Sequence, residues 1–137
     1  MINILDASVA LKWFAPDGDA TDAAAERILR DVVAHPKRFI VPELFFHEML
    51  SVLCRRLRQG GEVQKAHARL VRLGLRRVQL DDRLARKAAR LAFNRKITGY
   101  DACYAALAVE FDGVWLTFDR AAHERLAGTG VSRIPEI

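Results

Sequence analysis

The sequence predicts an α/β fold of three layers, in which a central, mostly parallel sheet of four to five strands lies between helices. Short apolar runs alternate along the chain with longer segments whose apolar residues recur at helical spacing. Strands that alternate with helical crossovers imply a parallel sheet covered on both faces. Two successive helices between the second and third strands predict a helical hairpin insertion.

Five short segments are predicted to be strands. The first, over residues 2–5, is mostly apolar and suits a buried strand. The others are residues 38–41, closed by Pro42, the weaker segment 77–80, then 114–118 and 131–134. Each is short, which is typical of strands buried in a parallel sheet.

Helical segments fill the chain between these strands. The predicted helices follow Asp6 as far as residue 14 and then cover 21–33, 43–58, 62–73, 82–94, 98–111 and 120–127. Gly60 and Gly61 are expected to end the helix over 43–58. The segment 98–111 is apolar on nearly every side, so we expect that helix at the centre of the protein.

The length and composition fit one globular domain over residues 1–137. Of these residues 51% are hydrophobic, which is enough for a sizeable core. The longest uninterrupted apolar stretch, residues 102–109, is far shorter than the ~20 residues that a membrane span needs. The N-terminus has no basic leader, and Asp6 closes its first apolar run. We therefore expect a cytoplasmic protein that does not engage a membrane.

The cysteines and histidines do not predict a zinc site. Cys54 and Cys103 fall in apolar helical patterns, so we expect both to be buried, reduced thiols. The four histidines have none of the spacings that bind zinc.

Positive charge is concentrated in the middle of the chain. Residues 55–96 hold 14 Lys and Arg against three acids, whereas the remaining residues hold eight basic and 14 acidic side chains. A basic surface of this kind favours polyanions such as nucleic acid. A pair of helices with solvated, Arg-rich outer faces would explain the same pattern.

Four carboxylates occupy equivalent places in the predicted topology. Asp6 directly follows the first strand, and Asp119 directly follows the strand over 114–118. Glu48 lies about one turn into the helix after the second strand, and Asp101 lies in the first turn of the central helix. Because sites in parallel sheets form beyond the carboxyl ends of the strands, we expect all four to face one cleft.

Each acid alone also has a purely structural explanation. Asp6 and Asp119 stand where helix N-caps stand, and Asp101 has capping-box spacing from Thr98. Glu48 fits an ordinary exposed helical position. Together, however, four such acids would repel one another and resist ionisation unless a hard cation such as Mg²⁺ or Mn²⁺ lay between them. With a basic surface to hold a polyanion, the set predicts a phosphodiesterase.

Four segments resemble the motifs of PIN-domain proteins of the VapC toxin type. They are Ile2-Asn-Ile-Leu-Asp6-Ala-Ser8-Val-Ala-Leu-Lys-Trp13, Pro42-Glu-Leu44-Phe-Phe-His-Glu48, Thr98-Gly-Tyr100-Asp101-Ala102 and Leu116-Thr117-Phe-Asp119-Arg. The motifs occur in the family's order and span nearly the whole chain.

This resemblance implies a PIN-like fold and the function of the toxin in a type II toxin–antitoxin system. The implied activity is a Mg²⁺- or Mn²⁺-dependent endoribonuclease, with a cognate antitoxin protein as inhibitor and a homodimer as the assembly. Position by position, the implied metal-binding and catalytic acids are Asp6, Glu48, Asp101 and Asp119. Ser8 and Thr117 match supporting hydroxyls, although Ser8 also fits a helix start and Thr117 a β-forming position.

Three other functions remain open from the sequence. A non-catalytic RNA-binding or regulatory PIN-like module would keep the basic middle but needs none of the four acids. A phosphate-receiver domain would need a lysine late in the chain, whereas the last one here is Lys96. A DNA-directed or flap-type nuclease would use similar metal chemistry.

Overall fold

The computed structural model describes residues 1–136, which form five strands, seven α-helices and two short 3-10 helices. The strands are β1 (Asn3–Leu5), β2 (Phe39–Pro42), β3 (Arg76–Val78), β4 (Val114–Leu116) and β5 (Ser132–Arg133). The α-helices are α1 (Ala7–Ala10), α2 (Ala20–Ala34), α3 (Leu44–Arg56), α4 (Gly60–Arg72), α5 (Asp82–Arg95), α6 (Gly99–Glu110) and α7 (Arg120–Arg125). The 3-10 helices are Leu11–Trp13 and Pro36–Arg38.

The strands form a single parallel sheet in the order β3-β2-β1-β4-β5. Ile4 of the central strand β1 lies opposite Ile40 on one side and Trp115 on the other. The amide of Asp6 donates to the carbonyl of Leu116 at 3.1 Å, so the β1–β4 pairing continues one residue beyond β1. The predicted α/β/α architecture with a parallel sheet is confirmed, and the ends of β1 and β4 lie side by side.

The core is built from the sheet and the central helix α6. All four residues of β2 are buried, as are six of the twelve residues of α6. Burying an aliphatic or aromatic side chain in such a core contributes about 1.5–3 kcal/mol. The predicted central position of this helix is therefore confirmed, since it packs against β1, β2 and β4.

The two glycines after α3 play a different part from the one predicted. Helix α3 ends at Arg56, and Leu57 leaves it with extended backbone angles. Gly60 and Gly61 instead form the first turn of α4. The first amides of a helix have no intrahelical acceptor, so glycine's weak helix propensity costs least there. Helices α3 and α4 pack against each other as the predicted hairpin.

Strand β4 is shorter than predicted, and this shortening shapes the candidate site. It ends at Leu116, so Thr117 and Phe118 belong to the turn that leads to Asp119 and α7. Thr117 is nevertheless fully buried. The hydroxyl of Thr117 takes no part in the backbone hydrogen bonds of the sheet, so it is available to bond neighbouring polar groups.

The expectation of two buried cysteines is wrong for Cys54, which is exposed on α3, while Cys103 is partly buried. Cys54 lies on the polar face of a helix whose buried residues are Phe45, Phe46, Met49 and Leu53. Among residues 1–136, no helix combines the length and the apolarity that crossing a bilayer requires.

Candidate active site

The four predicted acids stand at the carboxyl-end side of the sheet. Asp6 is the N-cap of α1 and Asp119 the N-cap of α7, and both follow adjacent strands. Glu48 lies in α3, which follows β2, and Asp101 lies in the first turn of α6. Each acid is placed by the end of a strand or the start of a helix.

Asp6 is held by three donors from different parts of the chain. Its Oδ2 accepts from the amide of Ser8 at 3.0 Å and from Oγ1 of Thr117 at 3.2 Å, and its Oδ1 accepts from Nε1 of Trp115 at 3.1 Å. Burial nevertheless raises the pKa of Asp6 above its ordinary value, against the lowering effect of these hydrogen bonds. The carboxylate is thus fixed in position and poorly solvated.

Thr117 and Ser8 tie the turn after β4 to the start of α1. Oγ1 of Thr117 donates to Asp6 and accepts from the amide of Asp119 at 3.0 Å. Oγ of Ser8 accepts from the amide of Phe118 at 3.0 Å. Both hydroxyls that the sequence singled out therefore hold the segment that carries Asp119 against the segment that carries Asp6.

Glu48 is oriented by a residue that the sequence did not single out. The hydroxyl of Tyr104 donates to Oε1 of Glu48 at 2.5 Å, and the Tyr104 ring stacks on Trp115 with centroids 5.5 Å apart. Tyr104 is only 1% exposed. One signal was available: Tyr104 carries a polar tip in an otherwise apolar helix, one turn after Asp101.

Burial and neighbouring negative charges both oppose the ionisation of Asp101. Burial, followed by the negative charges of Asp119 and Asp6, raises the pKa of Asp101 to about 6. Burial also raises the pKa of Glu48, with added repulsion from Asp6 and Asp101. Repulsion of this kind requires short distances, so Asp101 lies near Asp6 and Asp119, and Glu48 lies near Asp6 and Asp101.

Asp119 is exposed and makes the capping contact that its position allows. Its Oδ1 accepts from the amide of Ala122 at 3.0 Å. Thr98, rather than Asp101, caps α6, because its Oγ1 accepts from the Asp101 amide at 3.0 Å. Capping therefore accounts for part of the role of Asp6 and Asp119.

The chemistry of the cleft suits a hard divalent cation, since carboxylate and hydroxyl oxygens are the ligands that Mg²⁺ and Mn²⁺ prefer. The side chains are not, however, gathered into a ready chelate. Within residues 1–136, no three carboxylates, imidazoles or thiols form a group that would hold a metal ion directly. Asp6, Glu48 and Asp119 instead each accept a hydrogen bond from a protein donor.

Part of the basic middle segment is neutralised by acids from other elements. Arg56 pairs with Asp17, Arg77 with Glu43, and both Arg83 and Lys87 with Glu110. These pairs reduce the positive charge that the segment presents to solvent. Arg55 is different, because it lines a shallow groove that also contains Glu48 and Tyr100.

Tyr100 is 65% exposed and lines the same groove as Glu48. It lies at the second residue of α6, where the helix emerges from the core, one position before Asp101. Its ring is available at the surface next to the cleft.

The sequence matches the PIN domain family over residues 4–128. This match covers most of the chain and all four acids, and the chain belongs to the PIN-domain family. A search of curated protein sequences found no match.

Solved structures of similar fold include a toxin and a toxin–antitoxin complex. FitAcB from Neisseria gonorrhoeae superposes with a TM-score of 0.75 at 17% identity, covering 98% of each chain. A toxin–antitoxin complex from Klebsiella pneumoniae gives a TM-score of 0.72 at 17% identity, covering 98% of this chain and 99% of that one. VapC20 from Mycobacterium tuberculosis, a toxin that cleaves the sarcin–ricin loop, gives 0.70 at 17% identity, covering 89% and 93%. At this identity the likeness establishes a shared fold.

Proposed function

We propose that this protein is a metal-dependent endoribonuclease and the toxin of a type II toxin–antitoxin system. The observation that carries the proposal is the set of four carboxylates at one edge of the sheet. Three of them, Asp6, Glu48 and Asp101, have pKa values raised by burial, with repulsion between neighbouring acids adding to the effect at Glu48 and Asp101. A protein maintains such a destabilising arrangement where function requires it.

Asp6, Glu48 and Asp101, with Asp119 beside them, would hold Mg²⁺ or Mn²⁺. A bound cation of this type would neutralise the carboxylates, polarise the phosphodiester and favour ionisation of the attacking water. Because Mg²⁺ usually keeps several waters and binds one or two carboxylates directly, the present side-chain spacing is compatible with it.

The chain's own residues position the reacting groups. Thr117 and Trp115 fix the Asp6 carboxylate, and Tyr104 fixes the Glu48 carboxylate. Attack by water at phosphorus breaks the bond to the 3′ oxygen, which leaves as a hydroxyl after taking a proton. The products are a 5′-phosphate and a 3′-hydroxyl end.

Two partners follow from the same proposal. RNA is the substrate, and a cognate antitoxin protein binds the toxin and inhibits it. The similar structure from Klebsiella pneumoniae supports this pairing, since it is a toxin–antitoxin complex. We further propose a homodimer that acts in the cytoplasm.

The decisive experiment is cleavage of an end-labelled mixed RNA pool by the purified protein with Mg²⁺ or Mn²⁺ and with EDTA. Asp6→Asn and Asp101→Asn should each abolish metal-dependent cleavage without unfolding the protein. Asp112→Asn is the matched control, because Asp112 is exposed, lies in the turn before β4, and has a φ of 50° that asparagine also adopts readily.

Two outcomes would contradict the proposal. Cleavage that persists in both Asp6→Asn and Asp101→Asn would remove the acids from the mechanism. RNA binding without cleavage or metal binding by the wild type would favour the non-catalytic RNA-binding module, a function that agrees with the lack of a ready three-ligand group among residues 1–136.

A further inference from the structure

A cavity of about 560 Å³ lies between α2, α7 and the segment that contains β5. Its charged and polar lining consists of Arg27 and Asp31 from α2, Arg120 and His123 from α7, and Arg133 and Glu136 near the end of the described chain. Ligand sites typically have volumes of roughly 300–1,000 Å³, so the space suits a nucleotide-sized group. None of these residues belongs to the four-acid cleft.

The three guanidinium groups in this cavity are not committed to carboxylates. Among residues 1–136, no ion pair joins Arg27, Arg120 or Arg133 to an acid, although Asp31 and Glu136 line the same space. This contrasts with Arg56, Arg77 and Arg83, which are all paired. Free guanidiniums facing one cavity are suited to phosphate oxygens.

Residues that line the cavity are linked by the backbone to residues of the carboxylate cleft. Arg120 directly follows Asp119, and Arg133 lies opposite Leu116 in the sheet. The carbonyl of Arg133 accepts from the amide of Thr117 at 3.1 Å, and the hydroxyl of Thr117 contacts Asp6. A nucleotide in the cavity would therefore be a near neighbour of a phosphodiester held at the four acids.

We propose that Arg27, Arg120 and Arg133 form a subsite for the RNA backbone, and that this subsite binds the phosphates next to the one that is cut. The inference rests on the proposed ribonuclease function and adds the residues that hold the strand. The cations come from both ends of the chain rather than from the basic middle over residues 55–96. His123 adds a polar edge, with Nδ1 2.7 Å from Oγ of Ser132.

The test is the affinity of the full-length protein for a short fluorescent single-stranded RNA, measured in EDTA across a salt series. The Arg27→Ala, Arg133→Ala double variant removes two phosphate contacts. Counterion release then predicts a salt slope lower by about 1.4 and binding roughly 25-fold weaker at about 0.1 M salt. Both residues are exposed, so the melting temperature should stay unchanged.

The matched control is the Arg86→Ala, Arg90→Ala double variant, which changes the net charge equally. Both residues are exposed on α5, and neither is in an ion pair among the described residues. Its affinity for RNA should fall less than threefold. Equal losses in the two double variants would overturn the subsite and leave only general charge attraction.

Further outcomes distinguish a failure of the subsite from a failure of the proposed function, and a site for RNA from a site for anions in general. Unchanged RNA affinity in the Arg27, Arg133 variant overturns the subsite even if the wild type cleaves RNA with Mg²⁺. A wild type that cleaves no RNA overturns the function, while the binding comparison still decides the role of the cavity. An equal loss of polyglutamate binding would show a general anion surface and overturn the assignment to RNA.

Discussion

The hydroxyl of Tyr104 donates a 2.5 Å hydrogen bond to Oε1 of Glu48, and this bond joins α6 to α3 across the edge of the sheet. The tyrosine ring is buried against Trp115, whose own Nε1 donates to Asp6. Two stacked aromatic residues therefore hold two of the four carboxylates. The apolar core lies directly beneath these two acids and sets the distance between them.

Tyr104→Phe should lower cleavage while leaving the protein folded. A hydrogen bond to a charged group is worth about 1.5–3 kcal/mol, so kcat/KM near neutral pH should fall at least roughly tenfold. The bond lowers the pKa of Glu48 against the effect of burial, and its loss raises that pKa further. The acidic limb of the pH–activity profile should therefore move to higher pH.

Tyr100→Phe is the control for this variant, since it removes the hydroxyl of an exposed tyrosine next to the same cleft. A shifted pH profile in Tyr100→Phe, or an unshifted one in Tyr104→Phe, would contradict the orienting role of Tyr104.

Asp101 should make the metal-free protein less stable as the pH rises. Its pKa is about 6 in the folded state, against 3.8 for the ordinary group, so the folded protein holds the proton more tightly between these values. The protonated carboxyl of Asp101 contributes stability below about pH 4, and this contribution is lost as the pH rises through about 6. The loss is roughly 1–2 kcal/mol once solvent screening is allowed for.

Thermal unfolding in EDTA across this pH range measures the effect. Asp101→Asn should remove much of the slope and should melt at a higher temperature than the wild type near pH 8. Added Mg²⁺ should stabilise the wild type at that pH more than Asp101→Asn. If the melting temperatures of the wild type and Asp101→Asn changed with pH in parallel, the repulsion at Asp101 would be disproved.

Thr117→Val should damage both stability and activity. Valine keeps the shape of this fully buried side chain but leaves the amide of Asp119 and Oδ2 of Asp6 each short of a partner. An unmade buried hydrogen bond costs about 1–3 kcal/mol, which denaturant unfolding would detect. Thr117→Ser keeps the hydroxyl and should retain most of the cleavage activity. Failure of serine to rescue would assign the effect to the methyl group.

Gly113→Ala should destabilise the fold by about 1–3 kcal/mol, as overpacking of a tight site usually does. A Cβ at Gly113 would lie 2.6 Å from the carbonyl oxygen of Ile2, which accepts from the Val114 amide at 3.1 Å. The start of the β1–β4 pairing would have to shift. Gly61→Ala, in the open first turn of α4, should be neutral or stabilising by up to ~1 kcal/mol in the same denaturant assay.

The order of elements and the positions of the four acids could be predicted from sequence, because both depend on local pattern. Apolar runs and helical spacing fix strand and helix, and the residue after a parallel strand emerges at a known edge. The end of α3 was predicted too far along the chain, because glycine is common both at the end and in the first turn of a helix. Helix α3 ends before the glycines because Leu57 has extended backbone angles, which begin the connection to α4.

The sequence by itself determined that a parallel α/β sheet would carry Asp6, Glu48, Asp101 and Asp119 near one edge. It did so because the positions of strands and helices along the chain follow from the apolar pattern of short segments. The tertiary structure decided what holds those acids and what lies beside them. Tyr104 meets Glu48 across 56 positions of sequence, and Arg27 lines a cavity with Arg133, more than a hundred positions away. Contacts of this kind depend on how the helices pack on the sheet, which no local periodicity encodes.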